Sequence, residues 1–149
     1  MYADVFAVLA VVVSFGLTRG LIARPSYTDA YYYFNAANNL ASGDGLTDDY
    51  LWTYIGAPDT LPAPSHLYWM PFTSLAAAAG MWLMDAPGDP VAAQIPFALM
   101  LATGACAAFW LGGRVGRTPR HQWAAGLLVL FSGFYTRFWG QTDTFAPYL

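Results

Sequence analysis

"HLYWMPFTSLAAAAGMWLM", residues 66 to 84, is the stretch on which the topology of this chain turns. It is one of four runs apolar enough to cross a bilayer, the others being 5–23, 91–111 and 122–139. A helical span needs about 20 residues at about 1.5 Å of rise each, and only 91–111 meets that comfortably without a charge. The loop after it, "GGRVGRTPRH" at 112–121, carries Arg114, Arg117 and Arg120 and no acid, which assigns it to the cytoplasmic side. Residues 25 to 90 hold seven Asp and no Lys or Arg, in keeping with an outer location. If 91–111 enters from outside and 122–139 returns, then residue 90 and Gln141 to Thr144 are outside. If 5–23 leaves from inside, residue 24 is outside as well, so 66–84 must lie in the interface or re-enter rather than cross. Its composition permits this: His66, Tyr68, Trp69 and Trp82 are interfacial anchors, Pro71 stands near the helix start, and the middle is rich in Ala. Arg19 and Arg24 pull toward the opposite orientation, and the three arginines of one short loop outweigh them.

Composition agrees with a membrane protein. The 149 residues are 57% hydrophobic and 10% charged, against roughly 25% charged in a soluble domain. All nine acids are Asp and all six bases are Arg, for a net charge of −3. No basic patch exists for nucleic acid, and that class of partner is excluded. Cys106 sits in an apolar run and reads as a small buried hydrophobe, so neither a disulfide nor a cysteine metal site is available. The N-terminal run reads as a signal peptide or a first transmembrane helix. "MYAD" lacks Lys and Arg and no small-x-small cleavage site precedes Pro25, which favours an uncleaved helix. The final "TDTFAPYL" reads as the start of a further apolar helix, so an N-terminal piece of a longer polytopic protein is expected.

The expected fold class is therefore all-α: a polytopic membrane protein with about three transmembrane helices, 5–23, 91–111 and 122–139. A long first outer loop, 24–90, carries juxtamembrane helices at 28–43 and 66–84, and 140–149 forms a second outer loop. Within "TDAYYYFNAANNLASGDGL", 28–46, Thr28 is placed to cap and Asp29 falls in the first turn, where the helix dipole favours an acid. Tyr33, Ala36, Ala37 and Leu40 make one stripe, Asn35, Asn38, Asn39 and Ser42 the opposite one, and Gly43 and Gly45 end the helix. "GAPDTLPAP", 56–64, is a Pro-rich link.

Asp29 and Asp143 both fall on the outer side, each beside an apolar helix end. Two convergent carboxylates can serve as a general base with a partner, or hold a divalent cation such as Mg or Mn; equally, one is a helix-start acid and the other a solvated loop acid. Arg137 suits a lipid phosphate, which guanidinium binds bidentately, or snorkels to the interface. His66 can bond a phosphate, move a proton, or be structural. Tyr31, Tyr32 and Tyr33 can stack on a sugar or form an aromatic belt. The sequence contains no glycine-rich phosphate loop, Cys/His metal spacing or nucleophile elbow.

The order of features resembles the N-terminal part of the GT-C glycosyltransferases. It runs from a first helix to an Asp followed by tyrosines and "NNLASGDGL", then "PSHLYWMPFTSLAAA", an Arg-rich inner loop, and "YTRFWGQTDTF". That superfamily includes the protein O-mannosyltransferases, the lipid A aminoarabinose transferases and the oligosaccharyltransferase catalytic subunits. The resemblance implies an enzyme of the cell membrane, multi-pass and with an outward-facing site. Such an enzyme moves a sugar from a polyprenyl-phosphate donor to a lipid, glycan or protein acceptor. On it, Asp29 matches the first-loop catalytic carboxylate, Asp143 the second-loop acid, and Arg137 a basic residue ahead of that acid; His66, Tyr32 and Tyr33 are the remaining substrate-binding candidates. Ala30 stands where mannosyltransferase-like members commonly have Glu, and Phe145 where oligosaccharyltransferases have a second metal-binding acid. The likeness therefore leans to the mannosyltransferase-like branch, with any metal resting on Asp29 and Asp143. The alternative is a transporter or flippase component for lipid-linked sugars, which should carry its charges near the bilayer midplane instead.

Overall fold

A computed structural model describes residues 2–52 and 56–148. Its organisation follows from a stripe of small side chains on the first helix, α1 (Tyr2–Leu21). Phe6, Ala10, Ser14 and Thr18 recur every fourth residue and are its buried positions, while Val5, Val8 and Val12 are more than half exposed. That stripe packs on α4 (Pro90–Gly116), whose own buried side chains, among them Ala98, Leu101, Ala105 and Phe109, recur at the matching three- and four-residue spacing. The Phe6 ring stacks on Phe109 with centroids 4.4 Å apart. At the other end the Gln94 amide donates to the Ile22 carbonyl at 3.0 Å. The two helices are therefore antiparallel. Among the described residues these two, of 20 and 27 residues, are long and apolar enough to cross a membrane.

The second half of the chain folds back on α4. Thr118 caps α5 (Pro119–Leu130) by accepting from the His121 N–H, and Pro119 occupies its first position. A Cβ at Gly112 would sit 2.6 Å from the His121 carbonyl oxygen, so the α4–α5 hairpin closes only with glycine there. Its turn puts Arg114, Arg117 and Arg120 at the end of the molecule where Phe6 lies.

The continuous helix expected over 122–139 does not form. α5 stops at Leu130, Gly133 takes φ +66°, and a 3-10 turn (133–135) leads into the four-residue α6 (Thr136–Trp139). Ser132 and Gly133 supply the break: left-handed backbone is open to glycine and ends a helix. At about 1.5 Å per residue, the twelve residues of α5 reach about 18 Å against a hydrocarbon core of about 30 Å. A last short helix, α7, covers Phe145–Tyr148.

Two helices flank the N-terminal half of α4. α2 spans Thr28–Ser42 and ends on Gly43 in the left-handed region. α3 spans Phe72–Met84, thirteen residues, so 66–71 lies outside it. Pro96 inside α4 cannot donate to the Ala92 carbonyl one turn back, and Gly80 of α3 seats against that oxygen; a Cβ there would approach it to 2.2 Å.

The fold also departs from all-α. β1 (Thr47–Asp48) and β2 (Ala63–Pro64) form a short antiparallel ladder that pairs Thr47 with Pro64 and Asp48 with Ala63. The asparagine stripe of α2 holds it. Asn39 is buried and its amide donates to the Thr47 carbonyl at 3.1 Å, while Asn35 donates to the Asp49 carboxylate at 2.6 Å and accepts the Asp49 N–H. This face of α2 therefore grips a hairpin.

Candidate functional site

Where α1 ends and α2 begins, three separate segments meet. Tyr27, not Thr28, is the residue before the first helical turn; its backbone is extended and its side chain makes no cap. The ring is thereby free to turn toward 138–143. It meets Phe138 edge-on at 6.2 Å, and its hydroxyl donates to Asp143 Oδ2. The other oxygen, Asp143 Oδ1, accepts the Thr144 N–H at 2.5 Å and the Thr144 hydroxyl at 3.1 Å. Asp143 is only 2% exposed. Asp29, half-buried in the first turn of α2, places its charge near the same phenol. Burial above all, then the Asp143 hydrogen bond and charge, then the charge of Asp29, push the Tyr27 phenol far above its ordinary value, so it stays a proton donor.

Neighbouring contacts fix the segment that carries Asp143. Thr142 donates to the Ala30 carbonyl at 2.8 Å and the Gln141 amide to the Ser26 hydroxyl at 2.5 Å. Gly140 passes so close to α1 that a Cβ would lie 2.8 Å from Thr18 Cγ2. Two cavities flank this segment. One, of about 410 Å³, is lined by Leu21, Ile22, Ser26, Gly133, Arg137 and Gln141. The other, of about 320 Å³, is lined by Tyr33, Trp69, Met70 and Thr144. Arg137 is exposed, with its guanidinium 5.2 Å from the centroid of Phe134, and Gln141 Oε1 is buried with no partner among the described residues.

The remaining candidates form a second cluster. Tyr32 and Tyr33 are 2% and 1% exposed, and the outward tyrosine of the three is Tyr31. The Tyr32 hydroxyl accepts the His66 N–H at 2.7 Å and the Ser65 hydroxyl at 3.2 Å, and its ring stacks on Trp52 at 5.1 Å. His66 precedes α3 with φ +60°; its ring lies on Tyr33, with Nδ1 3.1 Å from the Trp69 carbonyl and Nε2 3.0 Å from Ser74 Oγ. Burial lowers its pKa, opposed by the Trp69 carbonyl. His66 is thus built into the loop, with both ring nitrogens engaged.

Asp48 lies near this cluster, 5% exposed, and burial raises its carboxyl to about 6. A folded-state pKa above the unfolded 3.8 means that the contribution to stability is greatest in acid and is lost as pH rises toward and through 6. Asp48→Asn, which does not titrate, is expected to gain about 1–2 kcal/mol on the native protein between pH 4 and pH 7, after allowance for partial hydration. Thermal unfolding at the two pH values checks this; a constant difference contradicts it.

Both oxygens of Asp143 are taken by protein donors, and among the described residues no group of three His, Cys, Asp or Glu side chains gathers anywhere. Tyr27, Ser26, Gln141 and Thr142 were not visible as site residues in the sequence. The signal that could have found the last two is the polar run "QTDT" directly after an apolar segment. Comparison with protein-family models, curated proteins and solved structures finds no match for this chain.

Proposed function

We propose that this chain belongs to a multi-pass membrane glycosyltransferase that takes a sugar from a polyprenyl-phosphate donor on the outer face. The observation that carries this is the convergence of Asp29 and Asp143 on the Tyr27 phenol, beside a cavity with one guanidinium at its rim. The exposed valines of α1 support a lipid setting, because a buried soluble helix would not show them to water. The antiparallel pairing of α1 and α4 supports a common inner side for the N-terminus and the arginine loop, with the acids opposite.

In the proposed step an acceptor hydroxyl attacks the anomeric carbon. The new C–O bond forms as the bond to phosphate breaks, and the phosphate departs with the electron pair. Asp29, the less enclosed acid, takes the hydroxyl proton. Asp143, held by Tyr27 and Thr144, fixes the segment and keeps negative charge near the developing positive charge on the sugar. Arg137 binds the phosphate, where its fork matches two oxygens.

Membranes carrying the protein and a radiolabelled polyprenyl-phosphate sugar test this. Release of polyprenyl phosphate with transfer of the label supports the proposal; movement of intact donor between leaflets without turnover supports a flippase instead. Arg137→Ala is expected to raise the donor KM about tenfold with a smaller change in kcat, the mark of lost donor binding. An unchanged KM removes Arg137 from the site.

A further inference from the structure

We infer that the turn joining α4 to α5 binds an anionic phospholipid of the leaflet it faces, its headgroup on Arg114, Arg117 and Arg120 and an acyl chain against the apolar groove beside them. This surface lies at the opposite end of the molecule from the proposed transfer site and shares no residue with it. It rests on the reading of the chain as membrane-spanning, and not on the transfer reaction. Residues 91–130 hold these three arginines and no acid, and all three are exposed. The acid at this end is Asp4, in the first turn of α1, and the arginines outnumber it.

The turn that carries the arginines is a fixed one. The Thr118 side chain caps α5 and lies 2.6 Å from His121 Nδ1, and a Cβ at Gly116 would strike the His121 ring. The Arg114 guanidinium lies over Trp110, 4.8 Å from the ring centroid. Trp110 is itself 59% exposed, and an outward indole is a residue of the headgroup level. Beside the turn, a groove of about 380 Å³ between α4 and α5 is lined by Gly112, Val115, Gly116, His121, Ala124 and Leu128 among others. Its walls are apolar apart from the His121 ring, and Val115 and Leu128 are 77% and 72% exposed. Each arginine is the chain neighbour of a residue that lines this groove: Arg114 of Val115, Arg117 of Gly116, Arg120 of His121. Charge and apolar surface therefore meet along one edge. A phosphodiester offers oxygens that guanidinium binds bidentately, and the chain esterified beside it covers the apolar wall. A free phosphate would leave Val115 and Leu128 bare. A phosphocholine lipid would set its ammonium against the guanidiniums.

Native mass spectrometry of the protein, released from micelles loaded with equal amounts of dioleoylphosphatidylglycerol and dioleoylphosphatidylcholine, tests this. Retained phosphatidylglycerol is expected to exceed retained phosphatidylcholine by about fivefold or more, the gain that a single arginine near an anionic headgroup supplies. Replacing all three, Arg114→Gln, Arg117→Gln and Arg120→Gln together, should abolish the preference. Arg24→Gln, which alters an exposed arginine at the other end of α1, should keep it. Glycerophosphoglycerol, the headgroup without its chains, should not displace the lipid when added in excess. Equal retention of the two lipids, a preference indifferent to the three arginines, or displacement by the free headgroup would overturn the inference and leave the transfer proposal standing. Retention of neither lipid would overturn it together with the membrane setting. Should the triple variant not fold, Arg120→Gln alone decides, with a severalfold fall in the ratio expected.

Discussion

Asp29→Asn and Asp143→Asn are each expected to reduce sugar transfer by about two to four orders of magnitude, the range over which a positioned acid or base contributes. The two losses should differ in kind. Asp29 is half-buried and makes no hydrogen bond that fixes the fold, so its replacement should lower kcat with little change in donor KM or in thermal stability. Asp143 accepts from Tyr27 and Thr144 while nearly fully enclosed, so its amide would set an N–H group against donors and loosen the 140–144 segment. Lower kcat together with a lower melting temperature is the expected pattern there. Tyr27→Phe separates the two effects, because it removes only the phenol proton donor and keeps the ring against Phe138. Full transfer by the Asp29→Asn protein would remove the proposed base.

Gly80→Ala is expected to be the most damaging single-methyl substitution, costing about 2–3 kcal/mol. The added carbon would sit 2.2 Å from the Ala92 oxygen and 2.9 Å from Pro96 Cδ. Neither neighbour can rotate away, one being helix backbone and the other a ring that has already removed a helix hydrogen bond. α3 would have to lift from α4, and with it Ser74, which donates to the Tyr33 carbonyl at 2.9 Å and so ties α3 to α2. Gly16→Ala on α1 is the control: nothing lies within 4 Å, and alanine is the better helix former, so it should be neutral or slightly stabilising. Differential melting in detergent compares them, with the Gly80→Ala protein unfolding on the order of 5–10 °C lower. Equal melting points would show that the α3–α4 contact is not tight.

Parts of this architecture were open to a reader of the sequence. The two long apolar helices declare themselves by composition, and Asp29, Asp143 and Arg137 are legible as isolated charges at apolar helix ends. The apolar stripe of α2 gives Tyr33, Ala36, Ala37 and Leu40 as its inner side; the first three are buried and Leu40 is partly so. Other features stay hidden for physical reasons. A ladder of two residues per strand has no periodicity to detect, and its partners Asn35 and Asn39 look like a solvent face until the hairpin is laid across them. The Ser132–Gly133 break is a two-residue signal set inside a longer apolar run. Tyr27 is opaque because its partner lies 116 positions away, and only the fold of α1 against α4 and α5 brings that partner back. Tyr32 and His66 belong to the loop cluster under the ladder, and Tyr33 to both that cluster and the cavity beside Thr144.

The central claim is that Asp29 and Asp143 serve one site on the outer face of the membrane, opposite the arginine loop. Single cysteines in a Cys106→Ser background, labelled on intact cells with a membrane-impermeant thiol reagent, test it most directly. Tyr31 and Phe145, 52% and 41% exposed, are the accessible neighbours of the two acids, and exposed Arg120 marks the loop. Labelling of Tyr31→Cys and Phe145→Cys from outside, with Arg120→Cys reached only after permeabilisation, is the predicted result. Labelling of positions 31 and 145 from opposite sides, or of all three from the same side, would contradict it.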